Sequence, residues 1–187
     1  MYEDGGLVIQ AHSDRAAFVR LYRRHYDVIF RYCAHRLFDR SAAEDVTSEV
    51  FLKMVENFHR FKGTESQFRN WLYRIATNAV NHHLRRITRS DSLLRAAYER
   101  AGNKADDSEE SPERLALLKE AVLALKPRYQ TIIALRFFEN MKLNEIAEVL
   151  GSSPGTVRSQ LARALTKLRK KLAVGLTDET EVIENEQ

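Results

Sequence analysis

Between Leu143 and Leu172 the sequence stops one helix and starts another within three residues. That step narrows the folds open to this chain more than any other feature. Leu143, Ile146, Ala147 and Leu150 recur at helical spacing, which predicts a short helix buried on one side. Gly151 follows where a helix end turns left-handed and a side chain is unfavourable. Ser153 then stands as an N-cap, with Pro154 at the first helical position, where proline's missing N–H costs nothing. The restarted helix turns Val157, Leu161, Leu165 and Leu168 inward and leaves Arg158, Ser159, Ala162, Arg163 and Lys167 outward. The pattern is a helix-turn-helix whose second helix presents small and basic residues from its N-terminal end. Such a face fits the major groove of duplex DNA. A helical hairpin with a solvated basic face is the other reading of the same residues.

The rest of the 187 residues holds few chain breakers, with seven Gly and three Pro in all, which favours helices over a turn-dense β fold. This length accommodates one domain or two small ones. Glu3 and Asp4 stand where a signal peptide would need basic residues, and no apolar run approaches the ~20 residues that span a bilayer. A cytoplasmic protein without membrane insertion is expected. Cys33, the one cysteine, falls in phase with Tyr26, Ile29 and Leu37, so it reads as a core residue. His82 and His83 are adjacent and point about 100° apart on a helix, so they cannot share a metal ion. Neither GxxxxGK[ST] nor GxGxxG occurs. The carboxylates concentrate where nothing would desolvate them for catalysis. No enzyme, metal or cofactor is expected.

The formal net charge of +4 is unevenly spread. Residues 114–175 carry twelve Lys and Arg against four Asp and Glu, and residues 1–86 carry fourteen against ten. Between them, residues 87–113 carry four against seven, and the tail from 176 to 187 has five acids and no base. Two basic blocks separated by an acidic connector suggest two contacts with a polyanion, joined by a tether that does not bind it. The second half of the connector is polar and poor in apolar residues, as in a solvated, flexible linker. Ser92 to Arg100 reads as a short helix ending near Gly102, and Ser111–Pro112 starts the next one.

The N-terminal block reads as three or four amphipathic helices. From Ser13 and Asp14 onward, Phe18, Leu21, Tyr22, Tyr26, Ile29, Cys33 and Leu37 recur at helical spacing and predict one long helix. Ser41 is the expected cap of the next, whose buried stripe is Ala43, Val46, Val50, Met54 and Phe58. Its outward face holds Asp45, Ser48, Glu49 and Leu52, either simply solvated or a protein-docking surface. Gly63 and Thr64 break the chain before a third helix, from about Gln67 to Arg86. Phe68, Leu72, Ile75, Ala79 and Leu84 lie inward there, flanked by Trp71, Ala76 and Val80. Arg74, Asn78, Asn81 and Arg85 recur at steps of four, three and four, giving one exposed stripe of cations and amides. Just upstream, FHRFKGTESQF interleaves Phe58, Phe61 and Phe68 with Arg60 and Lys62. Rings stack on any base while cations hold phosphates, and such stacking contributes roughly 1–3 kcal/mol per base. Rings beside a helix start also serve as core, and the residues alone leave both readings open.

Taken in order, FRNWLYRIATNAVNHHLRR, an acidic linker and LKEAVLALKPRYQTIIALRFFENMKLNEIAEVLGSSPGTVRSQLARALTKLRKKL resemble a bacterial sigma factor. The resemblance is to the extracytoplasmic-function (ECF) class, and it covers roughly residues 14–86 and 113–172. It implies an all-α chain of two small helical domains: a region 2 bundle over 14–86, a linker over 87–112 and a region 4 helix-turn-helix over 113–175. The acidic tail over 176–187 falls outside it. Region 4 would read the −35 promoter element through Arg158, Ser159, Ala162, Arg163 and Lys167, with Thr156 near the helix N-terminus on a phosphate. Region 2 would open the −10 element. Its loop from Phe61 to Gln67, including Lys62, would form with Asn78 the pocket for a flipped base, and Arg74, Asn81 and Arg85 would contact the strand.

Asp45, Ser48, Glu49 and Leu52 would dock on the β′ clamp helices of core RNA polymerase, with further contacts to the β subunit. Asp106, Asp107, Glu109 and Glu110 in the linker would mimic RNA in the exit channel. An anti-sigma factor is a candidate partner beside promoter DNA. Two residues depart from the common pattern: Ser48 precedes the acid where Gln is frequent, and Lys142 occupies a helix cap usually held by Ser or Thr. The second removes roughly 1 kcal/mol of capping. The alternative is a helix-turn-helix regulator that binds duplex DNA without polymerase.

Overall fold

The computed structural model describes the backbone of residues 6–94 and 112–184, and the side chains within 6–87 and 117–173. Among the described residues the regular elements are all helices: α1 (Leu7–Gln10), α2 (Arg15–Leu37), α3 (Arg40–Phe58), α4 (Glu65–Leu94), α5 (Pro112–Leu123), α6 (Pro127–Ile133), α7 (Leu143–Leu150) and α8 (Pro154–Glu184). A π-helical turn, Ala134–Phe138, continues α6.

The helix starts follow from local hydrogen bonding. Asp14 caps α2 by accepting from the amides of Ala16 and Ala17 at 2.8 and 3.2 Å. Asp39, not Ser41, caps α3, accepting from Ala42 N at 2.8 Å. The left-handed turn at Phe38 (φ 53°) ends α2 and delivers that carboxylate first. Thr64 and Gln67 form a capping box, with Thr64 N donating to Gln67 Oε1 at 2.8 Å and Gln67 N to Thr64 Oγ1 at 3.3 Å. That box starts α4 at Glu65, two residues before the apolar stepping suggests. The helix then runs unbroken to Leu94 and absorbs Ser92, so the short helix expected from Ser92 to Arg100 does not start there as a separate element. The rest of that segment lies outside the described residues, as do Gly102, Asp106, Asp107, Glu109, Glu110 and Ser111. Likewise α8 continues past Gly175 into the acidic tail.

At the helix-turn-helix, Gly151 adopts the left-handed conformation (φ 60°) and Ser153 Oγ accepts from Thr156 N at 3.1 Å. Lys142 supplies no side-chain cap, but its amide donates to Glu145 Oε2 at 2.6 Å, so half a capping box remains. Gly151→Ala is expected to destabilise the C-terminal helices by about 1–2 kcal/mol, the cost of left-handed backbone for a residue with a Cβ. Thermal unfolding checks this; an unshifted midpoint would mean that the turn relaxes.

In the N-terminal core, Leu21, Ile29, Val50, Met54, Phe68, Leu72 and Val80 are at most 1% exposed. Each such side chain contributes about 1.5–3 kcal/mol by leaving water. Cys33 is buried with them, and burial pushes its thiol up to about 11, which makes it an inert core residue. Apolar stepping missed three members: His25, Arg36 and Tyr73 are 8%, 2% and 1% exposed. The reason is that α2 and α4 each pack against several neighbours: α2 against α1, α3, α4 and the π-helical turn, and α4 against α2, α3 and α7. A single-stripe pattern describes only one contact face of each helix. Ile132, Leu135, Met141, Ile146 and Val157 therefore join the N-terminal core in one continuous cluster. Leu125, Ile133 and Ala164 form a smaller cluster with Tyr129 and Leu168. Among the described residues no helix is long and apolar enough to cross a membrane.

Candidate nucleic-acid interface

Three surfaces carry the residues singled out above. The first is the outward side of α8. Thr156, Arg158, Ser159, Ala162, Arg163 and Lys167 are all exposed there, while Val157 and Ala164 are buried beneath them. Leu161, Leu165 and Leu168 are half-buried, so Ala164 is the innermost residue of the middle turn. Ser159 Oγ donates to Thr156 O at 3.0 Å, and the Thr156 and Ser153 hydroxyls share a bond of 2.8 Å. These hydroxyls stiffen the first turn of α8, whose free amides and positive dipole end favour phosphate.

The second surface is a pocket of about 740 Å³ at the junction of α3, the following loop and α4. Phe61, Trp71 and Ile75 form its apolar walls, and Lys53, Arg60, Lys62, Asn57, Asn78 and the acidic Glu56 supply the polar edge. Of the three interleaved phenylalanines only Phe61 faces it. Phe58 and Phe68 are 5% and 0% exposed and belong to the core. Phe68 supports the pocket from below, with its ring 5.4 Å from Phe61 and 5.6 Å from Trp71, while Phe61 and Trp71 lie 5.1 Å apart and tilted by 35°. Trp71 read as a core flank in sequence, yet it is a wall. The signal available was its step of four before Ile75 and seven before Asn78, on the same side of α4.

Of the stripe expected on α4, Arg74, Asn78 and Arg85 are exposed and Asn81 is half-buried. Arg85 Nε donates to Asn81 O at 3.1 Å. Arg74 and Asn81 also hold side-chain hydrogen bonds. Arg74 donates from Nε to Val149 O at 3.2 Å and from Nη2 to Glu148 O, at the C-terminal end of α7. Asn81 Oδ1 accepts from Arg36 Nη2 at 3.2 Å. For Arg74 the cause is tertiary: α7 lies along this side of α4, and the carbonyls of its last turn, which lack the amides of a continuing helix, attract the nearest guanidinium.

The third surface is α3. Asp45, Ser48 and Leu52 are exposed and Glu49 is half-buried. Leu52 and Val55 are 60% and 49% exposed, an apolar strip beside the acids. Glu49 pairs with Lys53 at 2.5 Å, and Ser48 Oγ donates to Glu44 O at 2.9 Å. Sequence reading passed over Phe137 and Phe138, which the π-helical turn leaves 53% and 52% exposed. Phe138 stacks on His35 at 4.3 Å.

The region where the halves meet also perturbs its titratable groups. Tyr73 OH donates to a Glu139 carboxylate oxygen. Burial raises the pKa of both, and for Tyr73 the adjacent carboxylate adds to it.

Known proteins share this arrangement. The family model for Sigma-70 region 2 matches residues 21–90, and that for Sigma-70, region 4 matches residues 115–168. The RNA polymerase sigma-H factor of Pseudomonas aeruginosa is 34% identical over 172 residues, covering 86% of this chain and 88% of that protein. The ECF RNA polymerase sigma factor SigW of Bacillus subtilis is 30% identical over 174 residues, covering 86% and 91%. The chain matches the ECF RNA polymerase sigma factor BldN of Streptomyces coelicolor at 33% identity over 171 residues, which span 64% of that longer protein. In fold it is similar to the sigma factor RpoE in its complex with the anti-sigma factor NepR from Bartonella quintana, with a TM-score of 0.68 at 18% identity, covering 84% of this chain and 97% of that one. This chain belongs to the sigma-70 family and, within it, to the extracytoplasmic-function sigma factors.

Proposed function

We propose that this chain binds core RNA polymerase, supplies promoter specificity and helps to open DNA at the start site. It acts in the cytoplasm and performs no catalysis of its own. The observation that carries this reading is the pairing, in one chain, of the basic outward face of α8 with the aromatic-walled pocket beside Asn78. A regulator that only bound duplex DNA would need the first and not the second. In this reading residues 14–86 form the −10 domain, 87–112 the linker, 113–175 the −35 domain and 176–187 a tail. Thr156, Arg158, Ser159, Ala162, Arg163 and Lys167 contact the −35 element. Phe61 and Lys62, with Trp71 and Asn78, receive an unstacked base of the −10 element. Arg74, Asn81 and Arg85 hold its strand.

The α3 face of Asp45, Ser48, Glu49 and Leu52 suits the β′ clamp helices, because exposed Leu52 and Val55 offer apolar area inside an acidic rim. The β subunit and an anti-sigma factor are further candidate partners. The test is run-off transcription: adding the chain to core polymerase is expected to yield promoter-specific transcripts from its genome's DNA. No transcript from any fragment would refute the reading. Asn78→Ala is expected to lower open-complex formation by roughly tenfold, the loss of about one hydrogen bond to a base, with −35 binding intact. Permanganate reactivity at the start site measures this, and unchanged reactivity would remove Asn78 from the pocket's function.

A further inference from the structure

Three arginines gather at one crevice of this chain without a carboxylate to balance them. The crevice, about 480 Å³ in volume, opens between α4, α6, the Gly151 turn and α8. Arg74, Asn78 and Asn81 line it from α4, Arg128 and Thr131 from α6, and Gln160 from α8. Among the described residues no Asp or Glu lines it. Arg36 lies directly behind the wall. It donates to Asn81 Oδ1 and to Thr131 Oγ1, each at 3.2 Å, and to Gln130 Oε1 at 2.7 Å. Arg36 is 2% exposed, and its Nε is buried without an acceptor. Among the described residues none of Arg36, Arg74 and Arg128 has a carboxylate within 4.0 Å.

The hydrogen bonds already made leave donors for the opening. Arg74 commits Nε and Nη2 to the carbonyls of Val149 and Glu148, which leaves Nη1 free and the charge uncompensated. Arg36 occupies the Asn81 oxygen, so Nδ2 is the group that Asn81 has left to offer. Asn78, Arg128 and Gln160 hold no side-chain hydrogen bond to another described residue. A buried cation without a counter-charge carries a desolvation cost, which an anion placed beside it offsets. A recess lined by one sign of charge also focuses its field on whatever enters. Guanidinium groups match phosphate oxygens in both geometry and charge.

We propose that this crevice binds a nucleoside di- or triphosphate, with its phosphates on Arg74 and Arg128. The base would lie among the amides of Asn78, Asn81 and Gln160, against Val149 and Leu150. Amide side chains carry both donors and acceptors, as base edges require, and the two aliphatic residues supply an apolar wall. The volume falls within the range of small-ligand sites. Arg158, Ser159 and Arg163 lie outside it, so the site is separate from the outward face of α8. Bound nucleotide and a −10 strand would exclude each other at Arg74, Asn78 and Asn81. That consequence rests on the promoter reading given above, whereas the site itself does not.

Isothermal titration calorimetry of the full chain with ATP, GTP, CTP and UTP, free of metal, tests the proposal. At least one of them is expected to bind as one nucleotide per chain, more weakly as salt rises. Arg128 is exposed, so Arg128→Ala should fold normally. It is expected to weaken that binding by roughly 10- to 150-fold, the loss of one charge-assisted contact. Arg23→Ala, which removes an equal charge from the exposed side of α2, is expected to leave it unchanged. Inorganic pyrophosphate is expected to bind at least about tenfold more weakly than the nucleotide, the loss of the base contacts. Gln160→Leu keeps every charge and is expected to weaken nucleotide binding alone, leaving pyrophosphate binding as it was.

No saturable binding of any of the nucleotides overturns the site. Equal weakening by Arg128→Ala and Arg23→Ala also overturns it, since that is the response of a basic surface at large. Pyrophosphate binding as tightly as the nucleotide overturns the assignment to a nucleoside phosphate. No promoter enters this titration, so its failure leaves the transcription reading standing. Absence of run-off transcripts, in turn, overturns that reading and leaves the nucleotide site standing.

Discussion

Phe68→Ala is expected to cost about 3–5 kcal/mol of stability and to collapse the α4 pocket in the same step. Phe68 is fully buried, and four rings surround it: His25 at 5.2 Å, Phe58 at 5.9 Å, Phe61 at 5.4 Å and Trp71 at 5.6 Å. Removing its ring forfeits the transfer free energy and leaves a cavity that these neighbours can only partly fill. Phe61 and Trp71 stand directly on it, so the pocket walls lose their support. Urea unfolding measures the first effect and permanganate footprinting at the start site the second. A cost below ~1 kcal/mol would mean that the core repacks and that the pocket does not depend on Phe68. The buried His25 against the same ring has its pKa lowered, chiefly by burial, with Glu65 opposing. Its contribution to stability is thus present above the ordinary histidine range and is lost as pH falls through the lowered value.

Arg158→Ala has the second large expected effect, a loss of ~1–3 kcal/mol in −35 discrimination, or ~5- to 150-fold in affinity for the preferred base pair. Arg158 is exposed one residue after buried Val157, on the first full turn of α8, where a recognition helix reaches base edges. A series of −35 base substitutions measures the effect: the mutant should lose its preference at one position and keep it elsewhere. Lys167, about two and a half turns further along the helix, is the contrast. Lys167→Ala should weaken binding to all sequences alike and reduce the salt slope by about one. An unchanged preference in the Arg158 mutant would assign that residue to the phosphate backbone instead.

Much of the local architecture was legible because it depends on short-range chemistry. The stop at Gly151 and the restart at Ser153 and Pro154 are decided within six residues, by a left-handed turn and one amide N–H donated to the Ser153 hydroxyl. The apolar stripes of α2 and α3 were legible for the same reason, since Leu21, Ile29, Val46, Val50 and Met54 do fill the core. Errors arose where a neighbour in space overrules a neighbour in sequence. Ser41 is an acceptable cap, but the turn at Phe38 presents Asp39 sooner. Trp71 has the apolarity of a core residue, yet the loop carrying Phe61 stops short of covering it and leaves it as a wall.

The sequence by itself determined that the chain is helical, where its helix-turn-helix lies and which residues that motif turns outward. Period and capping act over one or two turns, and one or two turns of sequence contain them. Only the tertiary structure decided that Arg74 bonds the carbonyl end of α7, that Asn81 is held by Arg36 of α2, and that Arg36 is buried against Gln130 and Thr131. Those contacts join residues more than forty positions apart. A stripe of cations on a helix looks the same whether it faces water, a nucleic-acid strand or the carbonyl end of another helix. The packing of α7 against α4 makes that choice, through long-range apolar burial that leaves no periodic trace in the sequence.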